Sequence, residues 1–268
     1  MESFYLSDIR IYPIKSIAGI SMQSSQVFPH GLDQDRLLML IDDNGLFLTQ
    51  RKYTSLALLK TVFDNDLIKI ISPNKPELFI READFGIDTT YVKIWRSECD
   101  GIIASDRINH WFSEYLNKSV RLVKYSHKKP RPIDPFYATQ KDTVSYADGF
   151  PLLVISQASL DDLNGRLKTP VTMNHFRPNI VVDGCQAYAE DNWKKIKIGE
   201  VEFDAVKKCE RCILTTVDPE TGRKNADRQP LNTLAKYRKE STGVMFGMNL
   251  IPRSSGCINI NDKIEIIC

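Results

Sequence analysis

The sequence has no long apolar run, no strong excess of one charge and few cysteines. No stretch approaches the ~20 consecutive apolar residues that cross a bilayer, which argues against a membrane-spanning protein. The 36 basic and 34 acidic side chains nearly cancel and leave a formal charge of +2, which argues against a nucleic-acid-binding surface. Strand-like sequence begins at Phe4, so we also expect no signal or transit segment.

The cysteines point to a reducing environment. Six of them at irregular spacing in 268 residues do not resemble a disulfide framework. Free thiols suit a reducing compartment, and the sequence therefore predicts a cytoplasmic location. An apolar content of 42% is ample for a buried core in one large domain or two modest ones.

Short strand patterns separated by turn residues dominate the first half of the chain. The predicted strands are residues 4–12, 27–32, 36–42, 46–50, 56–62, 67–72, 77–81 and 91–95, with a hairpin turn at 43–45. The period changes at Ser105, which we expect to cap a helix over residues 105–117. Apolar residues recur there at i, i+3, i+4, i+7 and i+8, which predicts one core-facing stripe.

The second half continues the mostly β pattern. Residues 121–125 read as a strand, and three prolines between 127 and 135 predict an irregular connection. Further strands are predicted at residues 151–155, 180–182, 196–198, 201–206, 245–251, 257–260 and 263–267. Ser156 is expected to cap a helix, and Pro230 to start a short one.

Residues 207–225 carry the strongest chemical signal. Cys209 and Cys212 lie three positions apart amid Lys207, Lys208 and Arg211, a setting that favours the nucleophilic, metal-binding thiolate. The β-branched run at 213–217 predicts a strand that opens at Cys212 and ends in a polar turn.

Three ordinary interpretations of this pair remain open. It could be half of a zinc site, although a second close Cys or His pair is missing. It could be a thioredoxin-type redox pair, but such a pair precedes a helix, whereas strand formers follow here. Both thiols could also be core cysteines beside a sheet.

Several stretches occur in an order that resembles one protein family. They are residues 12–16 (Tyr-Pro-Ile-Lys-Ser), 174–180, 188–193, 208–222, 230–238 and 246–249. Together they resemble the MOSC-domain proteins, in particular the amidoxime-reducing proteins of bacteria and mitochondria. The resemblance covers nearly the whole chain. It implies an α+β, mostly β fold, with an N-terminal β-rich domain at residues 1–120 and a barrel-like MOSC domain at 121–268, the cofactor cleft lying at their seam.

The resemblance implies a molybdenum cofactor, Mo-molybdopterin, whose metal takes a protein thiolate and whose pterin carries one phosphate. By position, Cys212 matches the metal-ligating, catalytic cysteine, while Cys209 is expected to be a core thiol. The residues expected to contact the pterin, its phosphate or the pocket wall are Lys15, Ser16, Arg36, Arg177, Asn179, Glu210, Arg211 and Asn249. A soft thiolate suits a sulfur-rich molybdenum site, and cations from distant segments suit a phosphate. At family level, pyridoxal phosphate binding is also implied.

The implied activity is reduction of N-hydroxylated compounds such as amidoximes, hydroxylamines and N-hydroxylated base analogues. The chain lacks the C-x₄-C-x₂-C run of a plant-type iron–sulfur domain. We therefore expect a separate electron donor, namely a ferredoxin, a flavoprotein reductase or a cytochrome b5-like protein. The alternative function is a carrier of molybdenum cofactor or of sulfur, with a persulfide on Cys212. A zinc-dependent binding module is a third.

Overall fold

The computed structural model describes residues 4–64 and 67–267. The first half contains one helix, α1 (Asp106–Leu116), and the strands β1 (Phe4–Ile11), β2 (Ile20–Met22), β3 (Ser24–Phe28), β4 (Gly31–Leu32), β5 (Leu38–Ile41), β6 (Lys60–Asp64), β7 (Leu67–Ile71), β8 (Leu78–Ile80), β9 (Phe85–Ile94) and β10 (Ser97–Ala104). Short 3₁₀ helices lie at Thr54–Leu58 and Glu82–Asp84.

The second half contains two helices, α2 (Gln157–Gly165) and α3 (Leu231–Leu234). Its strands are β11 (Arg121–Tyr125), β12 (Arg131–Pro132), β13 (Thr143–Val144), β14 (Leu152–Ser156), β15 (Ile180–Asp183), β16 (Lys195–Ile198), β17 (Val201–Arg211), β18 (Lys239–Glu240), β19 (Gly243–Pro252), β20 (Gly256–Asn259) and β21 (Lys263–Ile266). Three 3₁₀ helices lie at Met173–His175, Ala189–Asn192 and Ile213–Thr216. No helix in these described ranges is both long and apolar enough to span a bilayer.

A closed barrel forms the centre of the molecule. Its strands follow the order β14–β15–β1–β21–β16–β17–β19, and β19 pairs back onto β14 to close the ring. Only the β14–β15 pair in this ring is parallel. Alternate side chains point inward, as the two-residue period of a strand requires. The interior is filled by large aliphatic and aromatic side chains, among them Leu6, Ile9, Val154, Ile180, Val182, Ile196, Ile198, Val201, Phe203 and Leu250.

A second core lies between the sheet β5–β11–β10–β9 and helix α1. The apolar stripe predicted for this helix is confirmed, because Ile108, Trp111 and Phe112 are buried against Leu40 and Leu122. The fold is therefore α+β and mostly β, with a barrel, as expected.

Strand pairing crosses the division predicted at residue 120 in several places, and β20 for example pairs with β3. β1 completes the barrel with second-half strands, whereas β11 lies between β5 and β10 of the first half. The division into residues 1–120 and 121–268 stays a prediction.

Local patterns predicted most strands, with several exceptions. The predicted Ser105 cap is wrong, because its hydroxyl makes no bond to the first turn of α1 and donates instead to the carboxylate of Asp84 (3.4 Å). The run 213–217 is a 3₁₀ helix rather than a strand, since the hydroxyls of Thr215 and Thr216 donate to the carbonyls of Cys212 and Ile213 (2.9 and 2.8 Å). Residues 56–62 begin in a 3₁₀ helix, with a strand only from Lys60. Residues 46–50 form no strand, since Phe47 makes an isolated bridge to Ile41 of β5 and Leu46 makes one to Lys93 of β9. β10 was not predicted, nor was β12 inside the connection at 127–135.

Closure of the barrel depends on a backbone conformation that Gly247 supplies. Its φ is +85°, and an added Cβ would lie 2.8 Å from the carbonyl oxygen of Val154 on the paired strand. We expect Gly247→Ala to lower the free energy of unfolding by about 1–3 kcal/mol, measured by urea denaturation. Gly165→Ala, which adds a Cβ into open space, is the control and should be neutral or slightly stabilising. Equal effects of the two substitutions would contradict this role.

Candidate functional site

One cavity brings together every site residue predicted from the sequence. It contains about 870 Å³ of empty space, including its open mouth. The predicted residues that line it are Lys15, Ser16, Arg36, Arg177, Asn179, Glu210, Arg211, Cys212 and Asn249. They come from both halves of the chain, while a seam between two domains stays a prediction. What each residue binds stays a prediction.

Cys212 lies at the point where β17 ends and the 3₁₀ helix Ile213–Thr216 begins. Its carbonyl accepts hydrogen bonds from the backbone N–H and the hydroxyl of Thr215 (3.1 and 2.9 Å), which fixes the backbone. Its thiol is half-buried, lines the cavity and has no hydrogen-bond partner within residues 4–64 and 67–267. The thiol is therefore available to a ligand.

Cys209 has a different setting. Its Sγ accepts a hydrogen bond from Nη1 of Arg211 (3.0 Å), while Nη2 of the same arginine donates to the carbonyl of Phe176 (2.6 Å). Cys209 also packs against the core around Phe176, but it lines the cavity as well. The expectation of a thiol confined to the core is therefore only partly met.

Irregular pairing of β17 places consecutive side chains on the same cavity. The register against β19 shifts between Ala205 and Lys207 and again between Lys208 and Glu210. Such bulges break strict alternation and re-aim side chains. Cys209, Glu210, Arg211 and Cys212 consequently all line the cavity, where a regular strand would turn every second one away.

Lys15 contributes a buried positive charge. Its Nζ donates to the carbonyl of Tyr146 (2.7 Å) and to the carboxylate of Asp148. Burial lowers the pKa of Lys15 to about 8, even though Asp148 raises it. Burial also raises the pKa of Asp148, but Lys15, Trp95 and Arg51 outweigh this and hold it below its ordinary value.

Arg36 and Arg177 stack against the same aromatic ring. Their Cζ atoms lie 4.5 and 4.1 Å from the centroid of Tyr12. Arg36 is held by Asp35 (2.6 Å), by the side-chain oxygen of Asn179 (3.0 Å) and by the carbonyl of Arg177 (3.3 Å).

The guanidinium of Arg177 has no hydrogen-bond acceptor in the described part of the chain, although it faces the cavity. Burial lowers the pKa of Arg177 to about 10, against the opposing effect of Tyr12. The group remains charged at neutral pH and is free to bind an anion.

Backbone strain concentrates around the cavity. Ser16, Arg36, Trp95 and Arg177 have φ values of 70, 52, 53 and 55°, in the left-handed region that non-glycine residues seldom adopt. Each also lines the cavity. Such residues cost of order 1–3 kcal/mol each and cluster at functional sites, where the surrounding structure fixes side-chain direction.

The remaining predicted residues hold the walls of the cavity. Asn179 is buried and its amide is fully engaged, since it accepts from Arg36 and from the backbone of Leu153 and donates to the carbonyl of Arg10. Asn249 donates to the carbonyl of Lys207 across the β17–β19 pair (3.0 Å). Glu210 is exposed at the rim.

Comparison with known proteins places this chain in a family. The model for the MOSC domain matches residues 141–265, and the model for the MOSC N-terminal beta barrel domain matches residues 3–119. The chain belongs to the MOSC family. It is 33% identical to mitochondrial amidoxime-reducing component 1 of Mus musculus over 98% of this chain and 82% of that protein. It is 34% identical to mitochondrial amidoxime reducing component 2 of Rattus norvegicus over 97% and 82%.

A third MOSC relative has a different name. Molybdenum cofactor sulfurase of Oryza sativa subsp. japonica is 33% identical over 93% of this chain, but the match covers only 33% of that protein. The names of these three relatives refer to amidoxime reduction and to the molybdenum cofactor, and none refers to pyridoxal phosphate.

The residues predicted from the sequence do not include one cation that lines this cavity, Arg51. Its guanidinium stacks on Trp95 at 4.4 Å, and its buried Nε has no hydrogen-bond partner in the described part of the chain. Its partner Trp95 lies 44 positions along the chain, so no local pattern connects the two residues.

The protonation of Lys15 gives a testable pH dependence. Its folded pKa lies below the unfolded value, so between pH 8 and 10.5 the unfolded chain binds more protons and this group's contribution to stability rises with pH. Anion binding by Lys15 should weaken over the same range. We expect ¹⁵N NMR of the Lys15 Nζ to titrate near pH 8, and at lower pH in Asp148→Asn. The control is Asp88→Asn, which removes an exposed carboxylate elsewhere and should leave the midpoint of the Lys15 titration unchanged. If Asp148→Asn also leaves this midpoint unchanged, the ion pair between Lys15 and Asp148 is excluded.

Proposed function

We propose that this protein holds a molybdenum cofactor and reduces N-hydroxylated compounds with electrons from a separate donor. The observation that carries the proposal is that the thiol of Cys212 and the guanidiniums of Arg51 and Arg177 face one cavity and have no hydrogen-bond partner among the described residues. The family and the names of its relatives support molybdenum chemistry of this kind.

The residues present fit the cofactor. Within the described ranges, no group of three or more His, Cys, Asp or Glu side chains could hold a metal ion. A single thiolate suits a metal that arrives with sulfur ligands of its own. Cys212 would bind the metal, while Arg51 and Arg177, with Lys15 and Ser16, would hold the phosphate. When bound, the cofactor supplies two-electron redox chemistry at an open coordination position.

The chain's own residues position and shield the reaction. Arg177 and Arg51 are held on aromatic rings, so little side-chain freedom is lost when they bind an anion. Asp148 pairs with Lys15 and also accepts a hydrogen bond from the indole of Trp95 (3.2 Å), which joins the ion pair to the cavity rim. These contacts pre-order the anion site before the cofactor binds.

The substrate reaction is N–OH + 2 e⁻ + 2 H⁺ → N–H + H₂O. Amidoximes, hydroxylamines and N-hydroxylated base analogues are the substrate class. The donor would be a ferredoxin, a flavoprotein reductase or a cytochrome b5-like protein. A cytoplasmic location stays a prediction from the free thiols.

A carrier of molybdenum cofactor or sulfur is the second candidate. The free Cys212 thiol could bear a persulfide, and the relative named molybdenum cofactor sulfurase favours this reading. Metal analysis separates the two functions, together with turnover of benzamidoxime by reduced methyl viologen. A reductase contains stoichiometric molybdenum and releases benzamidine, whereas a carrier releases none.

Substitution of the two cysteines by serine should have very different effects on cofactor binding and activity. Cys212→Ser is expected to abolish both bound molybdenum and benzamidoxime reduction, since its thiol is the one without a protein partner. Cys209→Ser should retain most of both, because this thiol already contacts Arg211. Molybdenum is measured by plasma mass spectrometry and reduction by chromatography of the amidine. Equal loss in the two variants would overturn the choice of ligand.

Arg51 should contribute to cofactor retention as much as Arg177 does. Each guanidinium lacks an acceptor, so Arg51→Gln or Arg177→Gln should weaken retention by about 1.5–3 kcal/mol, roughly ten- to hundredfold. Pterin fluorescence after oxidative release measures the retained cofactor without using activity. The control is Arg96→Gln, an exposed arginine next to Trp95 that does not line the cavity. If Arg51→Gln retains as much cofactor as Arg96→Gln does, Arg51 has only a structural role.

A further inference from the structure

A second groove adjoins the 3₁₀ helix that follows Cys212. It contains about 1560 Å³ of empty space, including its open mouth, and is formed by residues 166–171, by the turn after Thr216 and by α3. Thr215 lines the cofactor cavity, and the next residue, Thr216, lines this groove. The shared wall, Cys212–Thr216, therefore separates the two spaces, with Cys212, Leu214 and Thr215 on the cavity side and Thr216 on the groove side.

The groove is strongly basic in a chain whose formal net charge is only +2. The cations that line it are all exposed: Arg166, Lys168, Arg223, Lys224 and Lys236. Arg166 pairs with Asp162, but the other four have no carboxylate within ion-pair distance in the part of the chain that the structure describes.

Acidic groups do little to neutralise this charge. The lining contains two carboxylates, Asp218 and Asp227, against five cations, and the carboxylate of Asp218 also accepts backbone N–H groups of Glu220 and Thr221 (2.8 and 3.0 Å). A partner with a negative surface would therefore meet exposed cations from three segments, namely residues 166–168, residues 223–224 and Lys236.

We propose that this groove is the docking site of an acidic one-electron carrier protein. The inference rests on the proposed reductase function. Each N–OH group that becomes N–H and water consumes two electrons and two protons, so two carrier molecules are oxidised per turnover, each by one electron. The protons come from solvent.

Position and charge both favour an electron carrier as the occupant. Electron transfer slows steeply with distance, so a donor must sit close to the metal ligand, and the shared wall meets that condition. Hydroxyl groups of Thr215 and Thr216 tie this wall to the carbonyls of Cys212 and Ile213, which keeps it rigid. Opposite charge also gives fast, salt-sensitive association, which suits a transient redox complex.

The test compares two sets of charge reversals. The groove variant is Lys168→Glu/Lys224→Glu/Lys236→Glu, and the matched control is Lys128→Glu/Lys129→Glu/Lys141→Glu, which changes the net charge equally at exposed lysines outside the groove. Benzamidoxime reduction is driven by an acidic plant-type ferredoxin, by the soluble domain of an acidic cytochrome b5 and, separately, by reduced methyl viologen.

With at least one protein donor, we expect the groove variant to lose at least about tenfold in kcat/KM for the donor and to lose the salt dependence of the wild type. The control variant should keep most of the wild-type kcat/KM for the donor and most of its salt dependence. The rate with methyl viologen should be the same in all three proteins, because a small reductant needs no docking surface.

Each other outcome has a distinct meaning. Wild-type protein that is inactive with methyl viologen contradicts the proposed reductase function itself. Wild-type protein that is active with viologen but accepts electrons from neither acidic protein contradicts the docking proposal. So does a groove variant with full donor-dependent activity, or an equal loss in the groove and control variants.

Discussion

The site depends on one aromatic ring that two arginines share. Tyr12 follows the first barrel strand, and its hydroxyl donates to the carbonyl of Pro178 (3.0 Å). Arg36 from the first half and Arg177 from the second both stack on this ring. Asn179 adds a hydrogen bond to Arg36 and another to the backbone of Arg10. This cluster joins the two halves and fixes the direction of both guanidiniums.

Bringing several cations into one cavity is unfavourable unless their charges are compensated. The four cations of this cavity are compensated in two different ways. Lys15 and Arg36 have carboxylate partners in Asp148 and Asp35. Arg51 and Arg177 are stabilised by aromatic faces instead and keep their donors free. The cavity therefore combines fixed charges that shape it with free ones that can bind an anion.

Sequence reasoning reached the class of the fold and named residues that line one cavity, but not the local geometry, and the roles of those residues stay predictions. Period-two strands, the α1 stripe and the Ser156 cap were readable because local packing and capping follow sequence spacing directly. The resemblance located Cys212, yet the following strand was wrong, since threonine hydroxyls competed with β pairing there. Arg51 was missed because its partner, Trp95, is distant in the chain and comes close only through tertiary structure.

The two register shifts in β17 have a consequence for how this site can change over evolutionary time. Cys209 through Cys212 share one cavity because extra residues interrupt the pleat, so the number of residues in this strand matters as much as their identity. Lys207 or Glu210 can be exchanged without turning the thiol away. Loss or gain of a single residue between Ala205 and Glu210 would instead rotate Cys212 toward the opposite face. Variation in this region should therefore proceed by substitution at constant length.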